Sequence, residues 1–253
     1  MTEAVAIAAQ TAMRPVRLPA LDFARGIAIL AVIAYHFCWD LEDFGIHYFG
    51  LFEAPFWLFA RTVIAGAFLV IAGIGLVLAA EGGIDRRRYG IRLAKIVAGA
   101  AIVTAATYWN YPQAGVFFGI LHHIAVASVI GLAFLRLPWW LTLAAAAGVI
   151  ALDYAHQDWL SAPWLLWLGM GTGEVWAVDY VPLVPWFSGV LIGIALARLA
   201  LSSGAAAALA AWPLDGVAGC TVRFLGRHTL IIYLVHQPIL FGLFFLWFYL
   251  TSP

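Results

Sequence analysis

Charge is what this chain lacks. Of its 253 residues only 10% are Asp, Glu, Lys or Arg, against 65% hydrophobic, where a soluble domain carries roughly 25% charged residues. With a mean hydropathy of +0.97, an ordinary water-soluble globule is excluded. A formal net charge of zero offers no attraction to a nucleic acid, so no such partner is expected. Cysteine is equally scarce. Cys38 and Cys220 are the only two, and the spans drawn below place them about a bilayer apart. A disulfide needs Cα atoms within ~7 Å, so both thiols should be free. No Cys/His cluster has metal-finger spacing, and no metal is expected. Internal repeats and low-complexity linkers are absent too, which argues for one membrane domain over residues 18–253 behind a cytoplasmic tail at 1–17. The apolar stretch at 4–9 precedes Arg14 and Arg17, the reverse of the charged-then-apolar order of a cleavable leader.

What is present is apolar length. Seven runs approach the roughly 17–25 residues that a ~30 Å hydrocarbon core requires: about 20–39, 56–80, 90–108, 115–135, 139–154, 185–201 and 228–249. The fifth is short. The Ala-rich 204–219 stretch reads as an extra span or an amphipathic piece, and Pro213, Asp215 and Gly216 favour the second. The expected fold is an all-α, multi-pass bundle of about seven transmembrane helices. Lys and Arg set orientation. With the N-terminus cytoplasmic, the inner segments collect Arg14, Arg17, Arg25, Arg86, Arg87, Arg88, Arg92, Lys95, Arg136, Arg198, Arg223 and Arg227, leaving only Arg61 outside. The outer loops then hold Asp40, Glu42, Asp43, Glu53, Asp153, Asp158, Glu174 and Asp179. An eight-span arrangement would put Arg223 and Arg227 on the wrong side.

The longest outer connection, 155–184, carries Trp159, Trp164, Trp167 and Trp176. Tryptophan prefers the headgroup level, which places this loop on or in the membrane interface. Its Gly169-Met170-Gly171-Thr172-Gly173 reads as a turn, because no strand precedes it as a phosphate-binding loop would require.

Polar groups inside the spans are the functional candidates. Arg25 and His36 stand eleven residues apart in the first span, close to three helical turns, and so share a face. His47 follows in the first loop; His122 and His123 sit in the fourth span, and His228 and His236 in the last. A helix–helix hydrogen bond is the plain role for any one of them. Convergence of His36, His47 and one of the His122–His123 pair on a single cavity would instead suit general-base chemistry near neutral pH. Arg25 with Asp22 can equally be an ion pair at the membrane edge.

Several ordered motifs carry a family resemblance. Leu21-Asp22, Arg25-Gly26-Ile27-Ala28, His36-Phe37 and Asp40-Leu41 open it. Phe118-Gly119-Ile120-Leu121-His122 and Pro182-Leu183-Val184-Pro185-Trp186 follow. Leu225-Gly226-Arg227-His228-Thr229-Leu230 and Tyr233-Leu234-Val235-His236-Gln237-Pro238 close it. Together, over about 17–240, they resemble the heparan-α-glucosaminide N-acetyltransferase catalytic-domain family. The Arg-Gly opening is also similar to the acyltransferase 3 family.

The resemblance implies a membrane-embedded acetyltransferase in a cell membrane, the bacterial inner membrane being the expected one. It would carry the acetyl group of cytosolic acetyl-CoA to a sugar or glycan on the outer side. In lysosomal members of that family the residue matching His36 is an asparagine, and a histidine eleven residues on, here His47, is the proposed catalytic one. The acyltransferase 3 pattern favours Arg25 and His36. His47, His36 and His122 are therefore the catalytic candidates, as base or oxyanion donor, with Arg61 or Gln237 as further donors. Arg25, Arg86, Arg87, Arg88, Arg92, Trp186, His236 and Gln237 are the acetyl-CoA candidates, since its phosphates call for cations. The same arginines can act as a positive-inside anchor on anionic lipid. A small transporter or a non-catalytic assembly subunit, using Gly66, Gly73 and Gly75 as packing faces, is the alternative. A homo-oligomer is compatible with either.

Overall fold

Apolar length decides where the helices run, and turn chemistry decides where they stop. A computed structural model describes residues 18–212 and 215–251. Among them are nine α-helices and no strand: α1 Pro19–Asp43, α2 Pro55–Ala80, α3 Arg86–Asn110, α4 Ile120–Ile130, α5 Trp139–Leu152, α6 Leu183–Ser202, α7 Ala205–Ala210, α8 Val217–Arg227 and α9 Thr229–Thr251. The tail at 1–17 with Arg14 and Arg17, and Pro213, lie outside the described residues.

Five helices, α1, α2, α3, α6 and α9, are long and apolar enough to cross a membrane, so this is a multi-pass membrane protein. The other two expected spans are shorter. α4 has 11 residues followed by a 3₁₀ turn at Gly131–Phe134, and α5 has 14 residues, about 21 Å at ~1.5 Å per residue. Residues 115–119, expected to begin the fourth span, are not helical, because Gly119 is the extended N-cap of α4. Among the described residues of the 204–219 stretch there is no span; they form the six-residue α7 and the start of the 11-residue α8.

The described residues fall into two compact units. One comprises Leu18 and 69–211; the other 19–68 with 212 and 215–251. In the first, α2 and α6 cross through reciprocal glycines. A Cβ on Gly73 would strike the Val190 carbonyl, and one on Gly193 would strike that of Val70, so the backbones approach as small residues allow in membrane bundles. Leu69, Val190, Leu191 and Ile194 fill the core around that crossing, each with 2% exposure or less. The Arg198 guanidinium donates to the Leu135 carbonyl where the 3₁₀ turn ends.

In the second unit α1 lies against α8 and α9. The α1–α8 crossing is again glycine on backbone: a Cβ on Gly26 would meet the Val222 carbonyl, and one on Gly226 the Asp22 carbonyl. Asp22, nearly buried at 7% exposure, pairs with Arg25 (3.2 Å) and Arg227 (3.9 Å). The Arg25-Gly26 and Gly226-Arg227 motifs are thus two halves of one clamp. α9 packs on α1 and the residue just past its end through aromatic rings, Phe37 against Phe244 (5.7 Å between centroids) and Phe44 against Phe244 (5.1 Å). Asp40 differs from expectation. α1 runs on to Asp43, so Asp40 is a helical residue with no exposed surface rather than part of a loop. Both cysteines are free.

Candidate functional site

A buried polar layer lies between α1 and α9. The His36 and His236 rings meet edge to face, with centroids 4.9 Å apart. His236 Nδ1 lies 2.7 Å from the Tyr233 carbonyl. A carbonyl only accepts, so that nitrogen carries the proton and Nε2 keeps a lone pair. Next to this pair, Gln237 Nε2 donates to Asp40 Oδ1. Four atoms of these side chains, His36 Nδ1, Asp40 Oδ2, His236 Nε2 and Gln237 Oε1, are buried without a hydrogen-bond partner. Only two other side-chain atoms among the described residues share that condition. Each such atom left unpaired costs about 1–3 kcal/mol, so four in one layer mark it as the most polar buried region between these two helices. Pro238, inside α9, removes one helical hydrogen bond beside them.

His47 stands exposed in the loop that follows α1. Its backbone N–H donates to the Leu41 carbonyl (3.0 Å). Glu42 holds the loop by accepting from the backbone N–H of Phe49 (2.8 Å) and Leu51 (3.4 Å). Tyr48 donates to Glu53 (3.0 Å), and that bond with the Glu53 charge raises the Tyr48 pKa above an ordinary phenol's. Rings then link His47 inward: to Phe49 (4.4 Å), Phe49 to Trp57 (5.6 Å), Trp57 to Tyr35 (5.9 Å) and Tyr35 to His36 (6.0 Å). The exposed and the half-buried histidine are therefore ends of one aromatic path, with no direct contact recorded between them. Arg61 and Glu42 both lie within electrostatic reach of Tyr35. Arg25 shares the His36 face, but its guanidinium is on Asp22, roughly 16 Å along the helix.

His122 and His123 belong to the other unit. Gly119 N–H donates to His122 Nδ1 (3.2 Å), so Nε2 carries the proton and faces Thr104 Oγ1 (3.1 Å), which itself donates to the Val116 carbonyl (2.7 Å). Both His122 nitrogens are thereby engaged in holding residues 115–119 against α3. Gly119 has no side chain with which to cap α4. Asp179 does so from a distant segment, accepting from Ile120 N–H (2.9 Å), where a carboxylate suits a helix N-terminus. His123 is wholly buried; its Nδ1 lies 3.2 Å from the carbonyls of both Val181 and Pro182.

Arg86, Arg87 and Arg88 open α3 exposed, with Arg92 half-buried one turn on. Asp85 caps the helix through Arg88 N–H (3.0 Å) and pairs with the Arg88 side chain (3.1 Å). Trp186 is half-buried near the start of α6. In the Trp-rich loop, Trp159, Trp164 and Trp176 are exposed by 69% or more, while Trp167 packs on Phe118 (6.1 Å). The glycine run is a turn closed on Ser161, whose hydroxyl accepts from Thr172 N–H (3.0 Å) and Gly173 N–H (3.3 Å). Those two amides are therefore committed to the turn. Beside it is a cleft of about 210 Å³ lined by His156, Leu166, Val175, Tyr180 and three glycines, below the ~300–1,000 Å³ of ordinary ligand pockets. Burial raises the Tyr180 pKa, and its hydroxyl donates to the Leu166 carbonyl (2.6 Å).

Sequence reasoning missed Asp40, Glu42 and Asp179 as organising residues. Asp40 had a signal, since it stands four residues after His36 on the same helix face. Asp179 had none, because its partner is 59 positions away. Among the described residues no group of three His, Cys, Asp or Glu side chains converges as a metal set. The family model described as "Heparan-alpha-glucosaminide N-acetyltransferase, catalytic" matches residues 17–238, nearly the extent of the motifs above. No curated protein and no solved structure matches the chain.

Proposed function

The chain belongs to the heparan-α-glucosaminide N-acetyltransferase catalytic family, and on that premise we propose that it moves an acetyl group from cytosolic acetyl-CoA to a sugar or glycan acceptor on the opposite face of a bacterial inner membrane. The observation that carries this reading is the polar layer at His36 and His236, joined by the aromatic path to the exposed His47. It supports the reading because one imidazole lies between two apolar helices and a second is exposed in the loop after α1.

His47 is the general base on family position, and His36 aligns or activates the thioester. The base takes the proton from the acceptor N–H or O–H as that atom bonds to the acetyl carbon. The C–S bond breaks, and the CoA thiolate leaves and takes up a proton. Arg86, Arg87, Arg88 and Arg92 bind the CoA phosphates. His122 braces the fold, because both its nitrogens are engaged. Residues 18–253 act as one catalytic domain behind a cytoplasmic tail.

The transfer calls for seven crossings with the N-terminus inside, five of them made by the long apolar helices. α4 completes its crossing with residues 115–119, where Val116 and Phe118 are buried and backbone groups are paired: Val116 N–H with Thr107 Oγ1, and the Phe118 carbonyl with Val181 N–H. Non-helical backbone survives at membrane depth only under those conditions.

The experiment is acetyl transfer by purified protein in nanodiscs, with amino sugars as acceptors, for wild type, His36→Ala and His47→Ala. The true base loses turnover ~10²–10⁴-fold with little change in thermal stability. Full turnover by both variants would sink the mechanism. Lack of stabilisation by acetyl-CoA relative to ATP would return the chain to the transporter or scaffold readings. Impermeant labelling of a cysteine placed at Arg87 in intact cells would overturn the orientation.

A further inference from the structure

The last turn of α1 grips the chain on both sides of His47. Before it, the Ile46 and His47 N–H groups donate to the Leu41 carbonyl (2.9 and 3.0 Å). After it, the N–H groups of Phe49 and Leu51 converge on one oxygen, Glu42 Oε2, at 2.8 and 3.4 Å. Gly50 stands between those two amides at φ +66°. That left-handed conformation suits glycine, and such a turn aims its N–H groups at a single anion. Leu51 is fully buried, so the far end of the turn is fixed. The His47 ring lies against Phe49, 4.4 Å between centroids. The Leu41 carbonyl thus anchors the backbone of His47, and the residue its ring rests on is held by the Glu42 carboxylate.

We propose that Glu42 is a positioning residue for the reaction: its carboxylate fixes Phe49, and through Phe49 the imidazole of His47. The proposal rests on the acetyl-transfer reading with His47 as base. A base must come within about 2.6–3.2 Å of the atom whose proton it takes, and a displacement of ~1 Å can cost ~100-fold in rate. Without the Glu42 oxygen, Phe49 N–H and Leu51 N–H lose their shared acceptor, and the surface under the His47 ring is released.

Variants of the full chain in nanodiscs test it, with acetyl-CoA as donor and glucosamine as the probe acceptor. Glu42→Ala should lower kcat by ~100-fold, with the acetyl-CoA dissociation constant unchanged. Glu42→Gln keeps an accepting oxygen at the same reach and should recover most of that loss. A Gln variant as slow as the Ala variant overturns positioning in favour of a charge effect, and undiminished kcat in Glu42→Ala overturns it outright. Because Glu42 acts through His47, adding Glu42→Ala to His47→Ala should cost nothing further. A second full loss in the double variant overturns the proposal, since general damage to the fold multiplies with the loss of a base.

A wild type that acetylates no acceptor, or a His47→Ala protein with full turnover, would instead remove the reading of His47 as base. The positioning is then read without turnover, from the ring-proton NMR signals of His47, which the Phe49 ring current displaces. Glu42→Ala should return them toward the values of a free histidine, and Glu42→Gln should leave them displaced. Signals unmoved in Glu42→Ala would overturn the proposal.

Discussion

Replacing Gly26 by alanine places a methyl group where the Val222 carbonyl oxygen lies. The obstacle is backbone, so α1 and α8 must move apart instead of letting a side chain rotate away. Overpacking costs about 1–3 kcal/mol, and a backbone obstacle takes the upper end of that range. Alanine recovers ~1 kcal/mol of helix propensity, leaving a net loss of about 2 kcal/mol. Gly242 in α9 is the control, with nothing within 4 Å of an added Cβ. Its alanine variant should gain ~1 kcal/mol. The gap of about 3 kcal/mol between two chemically identical changes corresponds to roughly 6–12 °C for a chain of this size. Thermal unfolding in one detergent, followed by tryptophan fluorescence, measures it. Gly226→Ala should behave as Gly26→Ala does, since its Cβ would meet the Asp22 carbonyl. A Gly26→Ala protein as stable as Gly242→Ala would refute the close crossing and with it the clamp around Asp22.

Two further outcomes are expected. His122→Ala should lower stability by about 1–3 kcal/mol, because Gly119 N–H loses its acceptor and Thr104 a partner, while turnover per folded molecule stays near wild type; unfolding and activity assays on the same preparation separate the two. Neutralising Arg86, Arg87 and Arg88 together should weaken acetyl-CoA binding most strongly at low salt, where exposed charges are least screened, and calorimetry at two ionic strengths reads this directly. Unchanged affinity would leave that cluster as a topology signal alone.

Much of this protein was legible in its sequence because hydrocarbon imposes simple terms. A helix in lipid must satisfy its own backbone and present apolar side chains, so the apolar runs alone located α1, α2, α3, α6 and α9. Isolated polar residues in such runs stand out against that background, which is why His36 and His236 were visible as candidates. The resemblance brought out Arg25-Gly26 and Gly226-Arg227 as separate motifs. Only the folded chain joins them, since Gly26 rests on Val222 and Gly226 on Asp22, contacts between residues about 200 positions apart. Tertiary structure alone also decided that α4 begins at Ile120, because its cap is supplied by Asp179 through space, and that Asp40 is buried against Gln237 rather than solvated. Composition and periodicity record what each residue can tolerate from its solvent. Which polar atom finds a partner depends on where another helix brings one, and that is a property of the packed chain.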